Sequence, residues 1–311
     1  MLKVIDLFAG IGGIRLGFQE AFGNEIEFVF ASEWDKFAQN TYSLNHNDTP
    51  HGDITTIKEG DIPNHNIILA GFPCQSFSIA GKRKGFEDTR GTLFFDVIRI
   101  AKYHKPKVIF LENVKGLIGH DKGNTFTVIL ETLEELGYKV FHKVLNSKDF
   151  GVPQNRERIY IVCFLDKNIE FEFPTCVQPV AKVQDFIKDR VPPKYEYIGK
   201  TIYPKLEFEV TKPNTFYQWR RKYVRENMGG VCPTLTANMG TGGHNVPIIL
   251  SKQGIRKLTP MECVGLQGFP KSFTYPVGMS DAQKYKQIGN SVTVLVIKEI
   301  ALDIRKSLLS K

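Results

Sequence analysis

Asn66-Ile67-Ile68-Leu69-Ala70-Gly71-Phe72-Pro73-Cys74-Gln75-Ser76-Phe77-Ser78 is the stretch whose reading decides the fold. Its first five residues form a short apolar run, which reads as a strand buried on both faces in a parallel sheet. Pro73 fixes its own φ and biases Phe72 toward extended backbone, so Cys74 is delivered on a stiff turn. A cysteine at the carboxyl end of such a strand stands where open α/β sheets place their ligands. Taken alone, Cys74 fits equally the commoner role of a small buried hydrophobe.

The neighbouring stretches repeat the pattern. Upstream, Lys3–Phe8 reads as a strand, Ala9-Gly10-Ile11-Gly12-Gly13 as a glycine turn and Ile14–Phe22 as a helix. Such a turn lets a ligand approach the backbone at the helix N-terminus. A second strand, Glu27–Ala31, ends in Ser32-Glu33-Trp34. Glu33 falls about twenty residues beyond the glycines, where a carboxylate grips ribose hydroxyls in Rossmann-type sites. A tight turn followed by an exposed acid is the plainer alternative. Trp34 suits adenine stacking or core filling, and Asp53 suits an adenine amino group or a helix N-cap.

Downstream, Gly81-Lys82-Arg83-Lys84-Gly85 and Glu87-Asp88-Thr89-Arg90-Gly91 read as a basic loop. It is able to close on phosphates, or is simply solvated. Leu93–Tyr103 reads as a helix, and the strand Val108–Leu111 ends in Glu112-Asn113-Val114. If both strands are parallel, Glu112 shares the sheet edge of Cys74. A helix over Thr125–Leu136 stops at Gly137, and strands follow at Val140–Leu145 and Arg158–Phe164. Their short link permits an antiparallel pair at the edge of a mixed sheet. Arg156 and Arg158, two apart on an extended segment, form a fork suited to carboxylate or phosphate. The sum is an α/β, doubly wound mixed sheet.

Periodicity fades between residues 166 and 254, so we expect a catalytic domain over 1–165, a smaller irregular domain over 166–254 and a C-terminal segment over 255–311. Within the middle region, Arg220, Arg221, Lys222 and Arg225 interleave with Phe216, Tyr217, Trp219 and Tyr223 without an acid, a pattern suited to a nucleic-acid backbone. The glycine-rich run Thr234–Asn245 carries Thr234, Thr236 and Asn238, side chains able to read base edges or to close an Ω-loop. Thr259-Pro260-Met261-Glu262 and Ser280-Asp281-Ala282-Gln283 read as capping boxes. The last amphipathic helix, Val294–Leu309, needs a surface to cover, and the first domain's sheet is the obvious one.

Composition sets the limits. The 311 residues are 42% hydrophobic and 24% charged, as expected of a globular protein with a full core. A formal charge of +8 and a pI near 9.1 favour a polyanionic partner. Five dispersed cysteines with no CxxC argue against a disulfide framework or a zinc site and suit a reducing cytoplasm. No apolar stretch is long enough for a membrane span, and no signal peptide precedes the first strand.

A thiol, a nearby carboxylic acid, an adenosine-type pocket and a polyanion-binding lobe together suit one reaction. Carbon 5 of cytosine takes a methyl group only after a thiolate adds at carbon 6, with an acid at nitrogen 3 stabilising the charge. A base within a duplex has to be flipped out first, which employs a closing basic loop. A nicotinamide dehydrogenase leaves Cys74 and Glu112 without roles, and a zinc deaminase lacks its second cysteine. A non-catalytic DNA-binding module remains the alternative of a different class.

Asp6-Leu7-Phe8-Ala9-Gly10, Gly71-Phe72-Pro73-Cys74-Gln75-Ser76, Glu112-Asn113-Val114, Gln154-Asn155-Arg156-Glu157-Arg158, Leu266-Gln267-Gly268-Phe269-Pro270 and Gln287-Ile288-Gly289-Asn290-Ser291-Val292 occur in this order. The series resembles the motifs of bacterial C5-cytosine DNA methyltransferases of restriction–modification systems. The resemblance implies a Rossmann-like S-adenosylmethionine-dependent methyltransferase fold, with residues 166–254 as target-recognition domain and the last helix returning to the catalytic domain. It implies Cys74 as nucleophile and Glu112 as cytosine-binding acid, with Arg156 and Arg158 beside them. For the cofactor it implies Phe8, Gly10, Ile11, Gly13, Glu33, Trp34, Asp53, Ile54, Pro73, Leu93, Asn290, Ser291 and Val292. For DNA it implies Gln75, Ser76, Ser78, Lys82, Arg83, Lys84, Arg90, the cluster Arg220, Arg221, Lys222 and Arg225, and Thr234, Thr236 and Asn238. The expected partner is double-stranded DNA, with no metal and no membrane. The expected form is a cytoplasmic monomer, with a cognate restriction endonuclease as the natural counterpart. A tRNA-directed relative would share the catalytic motifs; the large insert favours DNA.

Overall fold

The computed structural model describes residues 1–73, 93–177, 181–220, 222–241 and 245–309. The chain divides into two compact units, one of Met1–Leu145, Glu157–Pro174 and Ile297–Lys311, the other of Asn146–Arg156 and Thr175–Val296.

The first unit is built on a six-stranded sheet of β1 (Leu2–Leu7), β2 (Ile26–Ser32), β3 (Ile67–Ala70), β4 (Val108–Val114), β5 (Lys139–Asn146) and β7 (Glu157–Phe164). Its order is β2-β1-β3-β4-β7-β5, so the chain winds outward in both directions from β1 and β3. Strands β2, β1, β3 and β4 run parallel, and β7 lies antiparallel to β4, giving a mixed, doubly wound, Rossmann-like sheet. The apolar run of β3 has no exposed residue, as a central strand covered on both faces requires. Each fully buried isoleucine or leucine there contributes about 1.5–3 kcal/mol.

Helices cover the sheet through 3.6-residue stripes. Helix α1 (Gly13–Phe22) buries Ile14, Gly17, Phe18 and Ala21, and Phe18 meets Phe110 of β4 edge-on at 5.3 Å. Helix α2 (Lys36–His46) is capped by Asp35, whose carboxylate accepts from the Phe37 and Ala38 N–H groups. Helix α3 (Leu93–His104) buries Phe94, Val97, Ile98 and Ala101, and α4 (Asn124–Glu135) buries Phe126, Ile129 and Leu133. The last helix, α8 (Val294–Leu309), belongs to this unit from Ile297 onward. There it lies along α1: a Cβ on Gly17 would stand 2.6 Å from Ile297, and Arg305 Nε donates to Glu25 at 2.6 Å.

The second unit has more regular structure than its sequence suggests. Four short strands, β8 (Phe216–Trp219), β9 (Val224–Asn227), β11 (Ile248–Ser251) and β12 (Gly254–Lys257), form an antiparallel sheet in the order β12-β11-β8-β9. Strands of four residues are too short to leave a period-2 signature, which is why this region reads as irregular. A small pair, β6 (Gln154–Asn155) and β10 (Cys232–Pro233), and helices α5 (Tyr203–Glu209), α6 (Pro260–Leu266) and α7 (Asp281–Asn290) complete the unit.

The division of the chain differs from the expected cuts at 166 and 254. Phe171 and Phe173 join Phe141 and Phe164 in an aromatic cluster that keeps residues 166–174 with the first unit. Strand β12 pairs with β11 across residue 254, and Arg256 is locked to Glu262 with both side chains fully buried. Residues beyond 254 therefore pack with the strands before it.

The Thr259 capping box forms in both directions, with Pro260 in the first turn of α6. The second box forms by half. Ser280 accepts from the Gln283 N–H, while Gln283 Oε1 is buried without a hydrogen-bond partner among the described residues.

Candidate active site

At the carboxyl edge of the sheet, β1 leads into a turn of unusual backbone. Phe8 lies at φ +56°, a left-handed conformation that costs a bulky residue about 1–3 kcal/mol and concentrates at functional sites. Gly10 shares that φ, and among the described residues no atom lies within 4 Å of where its Cβ would stand, which leaves this side of the turn open to them. Gly12, the N-cap of α1, provides no side-chain cap, leaving first-turn N–H groups directed at the site. The Ala9 N–H donates to Ser32 O at 2.9 Å, tying the turn to the end of β2.

Glu33 follows β2 and closes the turn from the other side. Its Oε2 accepts the Gly10 N–H at 2.8 Å and its Oε1 the Asp35 N–H at 2.8 Å. Burial pushes its pKa up, opposed by the backbone N–H groups of Asp35 and Gly10. Trp34 beside it is 77% exposed, an open aromatic face and not a core residue. Asp53 realises the capping alternative, its carboxylate accepting the Thr55 N–H at 3.0 Å from an exposed position. Ile11, Gly13 and Ile54 are buried, Leu93 is half-buried and Pro73 is exposed.

Beneath the turn sits a carboxylate to which sequence reading gave no role. Asp6 is completely buried, and neither of its oxygens has a hydrogen-bond partner among the described residues. Burial raises its pKa to about 7, Arg15 working against the shift and Glu33 and Asp48 adding to it. Arg15 donates to Tyr42 Oη at 2.7 Å and to Asp48 at 2.5 Å, and stacks 4.5 Å over Phe28. The signal that could have found this group was a charged residue inside an otherwise apolar strand.

Strand β3 ends beside Glu112. Ala70 and Leu111 are register partners, so Gly71 leaves the sheet level with Glu112, which stays in β4 paired with Tyr160 of β7. A Cβ on Gly71 would stand 3.7 Å from Glu112 Oε2. The neighbouring Asn113 donates from Nδ2 to Phe72 O at 2.8 Å, fixing the chain just before Pro73. Arg158, on β7, brings its Nε to 3.2 Å from Glu112 Oε1, with side chains only 14% and 10% exposed. Cys74, Gln75, Ser76, Ser78, Lys82, Arg83, Lys84 and Arg90 lie outside the described residues, as does Arg221.

The expected arginine fork does not form. Arg156 belongs to the second unit, where it is buried and donates to Leu235 O at 2.7 Å, Gly289 O at 3.3 Å and Ser291 O. It is engaged with backbone carbonyls, whereas Arg158 is engaged with a carboxylate. The same unit contains Asn290, exposed, Ser291, half-buried, and Val292, buried. The cationic-aromatic face is also thinner than its sequence suggests. Phe216 and Tyr217 are core residues of β8, which leaves Arg220, Lys222, Arg225 and the 59%-exposed Tyr223 at the surface. Thr234 Oγ1 is used on Asn155 O at 2.6 Å, while Thr236 and Asn238 are exposed.

The family model for C-5 cytosine-specific DNA methylases matches residues 2–306. The chain belongs to that family. It is 52% identical over 320 residues to the type II methyltransferase M.Bsp6I of Bacillus sp. (strain RFL6), covering 99% of this chain and 100% of the relative. It is 44% identical over 328 residues to M.HhaI of Haemophilus parahaemolyticus, covering 99% and 95%. In fold it matches the crystal structure of S. pombe Dnmt2 methyltransferase with a TM-score of 0.79 at 21% identity, over 98% of this chain and 99% of that one.

Within this cytosine-C5 DNA methyltransferase, sequence reading also missed the device that holds the Thr234–Gly240 loop. Gln154 Nε2 donates to Leu266 O at 2.8 Å and Gln267 Oε1 at 3.0 Å, and its Oε1 accepts the Leu235 N–H at 3.1 Å. Thr293 donates to Gln267 at 2.8 Å and bonds Ser147 at 2.7 Å. These partners are up to 146 residues apart in sequence, a pairing that no local pattern encodes. Among the described residues, no helix is long and apolar enough to cross a membrane, and no group of three His, Cys, Asp or Glu could hold a metal ion.

Proposed function

We propose that the enzyme transfers a methyl group from S-adenosylmethionine to carbon 5 of a cytosine flipped out of a short duplex sequence, through a covalent adduct of Cys74 at carbon 6. The observation that carries this reading is Glu112 of β4 beside Gly71, the residue that follows β3 and stands three residues before Cys74. The chemistry of the turn fits the cofactor. S-adenosylmethionine is a sulfonium cation, and the buried Glu33 carboxylate stands beside an open glycine face, with Trp34 free to stack. When bound, it supplies an electrophilic methyl group.

The remaining chemistry falls to this chain. The Cys74 thiolate adds to carbon 6, and the electron pair of the 5,6 double bond becomes available at carbon 5. Glu112 donates a proton toward nitrogen 3, with Arg158 holding its other oxygen and fixing its orientation. After methylation a base removes the carbon-5 proton, and the electrons expel the thiolate. Glu33 accepts from the ribose hydroxyls, and Asp53, Ile54, Pro73 and Leu93 contribute further cofactor contacts. We assign catalysis and cofactor binding to the first unit and sequence readout to residues 175–254, with Arg220, Lys222, Arg225, Thr236 and Asn238 facing DNA. Arg156 positions the reading loop. The names of the relatives support a role as the modification enzyme of a type II system; we further propose that it acts as a monomer, on the site of a cognate endonuclease.

Bisulfite sequencing of plasmid DNA from expressing cells identifies the target sequence. A duplex carrying 5-fluorocytosine at that position should then trap the enzyme covalently in the presence of S-adenosylmethionine, because fluorine cannot leave as a cation. Cys74→Ser should abolish methylation and trapping, and peptide mapping should find the adduct at Cys74. Full methylation by Cys74→Ser, or a crosslink at another cysteine, sinks the mechanism.

A further inference from the structure

The second unit holds a cavity of about 500 Å³ that none of the residues discussed above for catalysis or readout enters. Its size lies within the range of small-molecule sites. Lys188, Arg190, Lys271 and Lys284 line it, over an apolar floor that includes Phe273 and Tyr275. We propose that this cavity binds a small phosphorylated ligand carrying an aromatic ring, of the nucleotide class.

Charge is the first argument. The nearby acids are engaged elsewhere. Glu262 is locked to Arg256, Asp189 meets Lys252 at 2.9 Å in an exposed pair, and Asp281 accepts from Lys194 at 2.6 Å and from Tyr195 Oη at 2.9 Å. Lys284 is 4.0 Å from that same Asp281, whereas Lys188, Arg190 and Lys271 make no ion pair among the described residues. Unpaired cations converging on one concavity create a field that asks for several negative charges.

The second argument is that the wall is held in place without a ligand. The Lys188 N–H donates to Glu262 Oε1 at 2.8 Å, and its carbonyl accepts from Arg256 at 3.0 Å. Three residues on, the Val191 N–H donates to Gln253 Oε1 at 2.7 Å and its carbonyl accepts from Gln253 Nε2 at 3.4 Å. The flexible cationic side chains therefore rise from a fixed backbone.

The floor supplies the third argument. Phe273, only 2% exposed, is clamped edge-on between Phe269 and Tyr275 at 4.8 and 5.4 Å. Lys284 lies 5.8 Å over the Tyr275 ring. A flat ring meeting an aromatic edge, with phosphates reaching the rim, satisfies floor and rim together. An acidic peptide would meet only the rim, and a duplex, whose phosphates lie on a convex cylinder, cannot enter the cavity.

Titrating guanosine diphosphate into the full-length enzyme, with S-adenosylhomocysteine saturating the methyl-donor pocket, tests the assignment by calorimetry. Binding is expected, with pyrophosphate competing and guanosine alone failing to bind. The double variant Lys188→Gln/Lys271→Gln should weaken it at least about tenfold while keeping the wild-type melting temperature and methylation rate, since both lysines are exposed. No heat up to about 1 mM ligand, or wild-type affinity in the variant, overturns the proposal. So does displacement of the nucleotide by a duplex lacking the target sequence, which would assign the cations to DNA phosphates.

Discussion

Asp6 exemplifies what a single residue can impose. It lies between β2 and β3 with Ala31 and Leu69 as register partners, fully buried and without a hydrogen-bond donor among the described residues. Its folded pKa of about 7 stands above the ordinary carboxylate value of 3.8, so the folded chain holds a proton that the unfolded chain has released. This contribution to stability is complete below the unfolded pKa, falls as pH rises through that window, and levels off above the folded pKa. Asp6→Asn removes the ionisation, so the variant should gain on the wild type by about 1.4 kcal/mol for each pH unit within the window. Urea denaturation of both proteins between about pH 5 and about pH 8 measures the difference. Parallel stability profiles would mean that Asp6 stays ionised throughout.

At the scale of elements, α7 and the Thr234–Gly240 loop form one device. Gly289 sits where a Cβ would stand 2.2–2.4 Å from the backbone of Thr236 and Ala237, and Gly240 where one would stand 2.4 Å from Ala282 O. Arg156 ties the loop's Leu235 carbonyl to those of Gly289 and Ser291. Helix propensity alone says that Gly289→Ala stabilises by about 1 kcal/mol. The clash is with backbone, which cannot swing aside, so we expect a net destabilisation of about 1–3 kcal/mol, read as a lowered melting temperature. Specific DNA binding should weaken as the loop shifts, while affinity for S-adenosylmethionine is kept. A more stable Gly289→Ala with unchanged DNA affinity would show that the loop is not held by this contact.

For the whole molecule, the division into units sets where specificity can be exchanged. A graft over residues 166–254 would remove Phe171 from the first unit's aromatic cluster and separate β12 from β11. Replacing residues 175–257 with the corresponding segment of the Haemophilus parahaemolyticus relative respects both, provided the graft keeps a cation at position 256 for Glu262. Such a chimera should methylate the donor's sequence, still at carbon 5, as bisulfite sequencing would reveal. A folded chimera that keeps the original sequence would move readout outside this segment.

The parallel sheet, its glycine turn and the positions of Glu33 and Glu112 were legible from sequence. Apolar runs, turn glycines and acids at strand ends are local patterns, imposed by burial and backbone sterics over a few residues. Tertiary structure alone decided the rest. It took Arg156 out of the expected fork, made Phe216 and Tyr217 core and joined residues 255–296 to the strands before them. It also buried Asp6 with no hydrogen-bond partner among the described residues. Each of these depends on which carbonyls, rings and strand edges meet after the chain has closed on itself, between residues more than a hundred positions apart in the case of Arg156 and Gly289. Local sequence carries the propensity of a segment; which group satisfies its buried charges and donors is a property of the assembled fold.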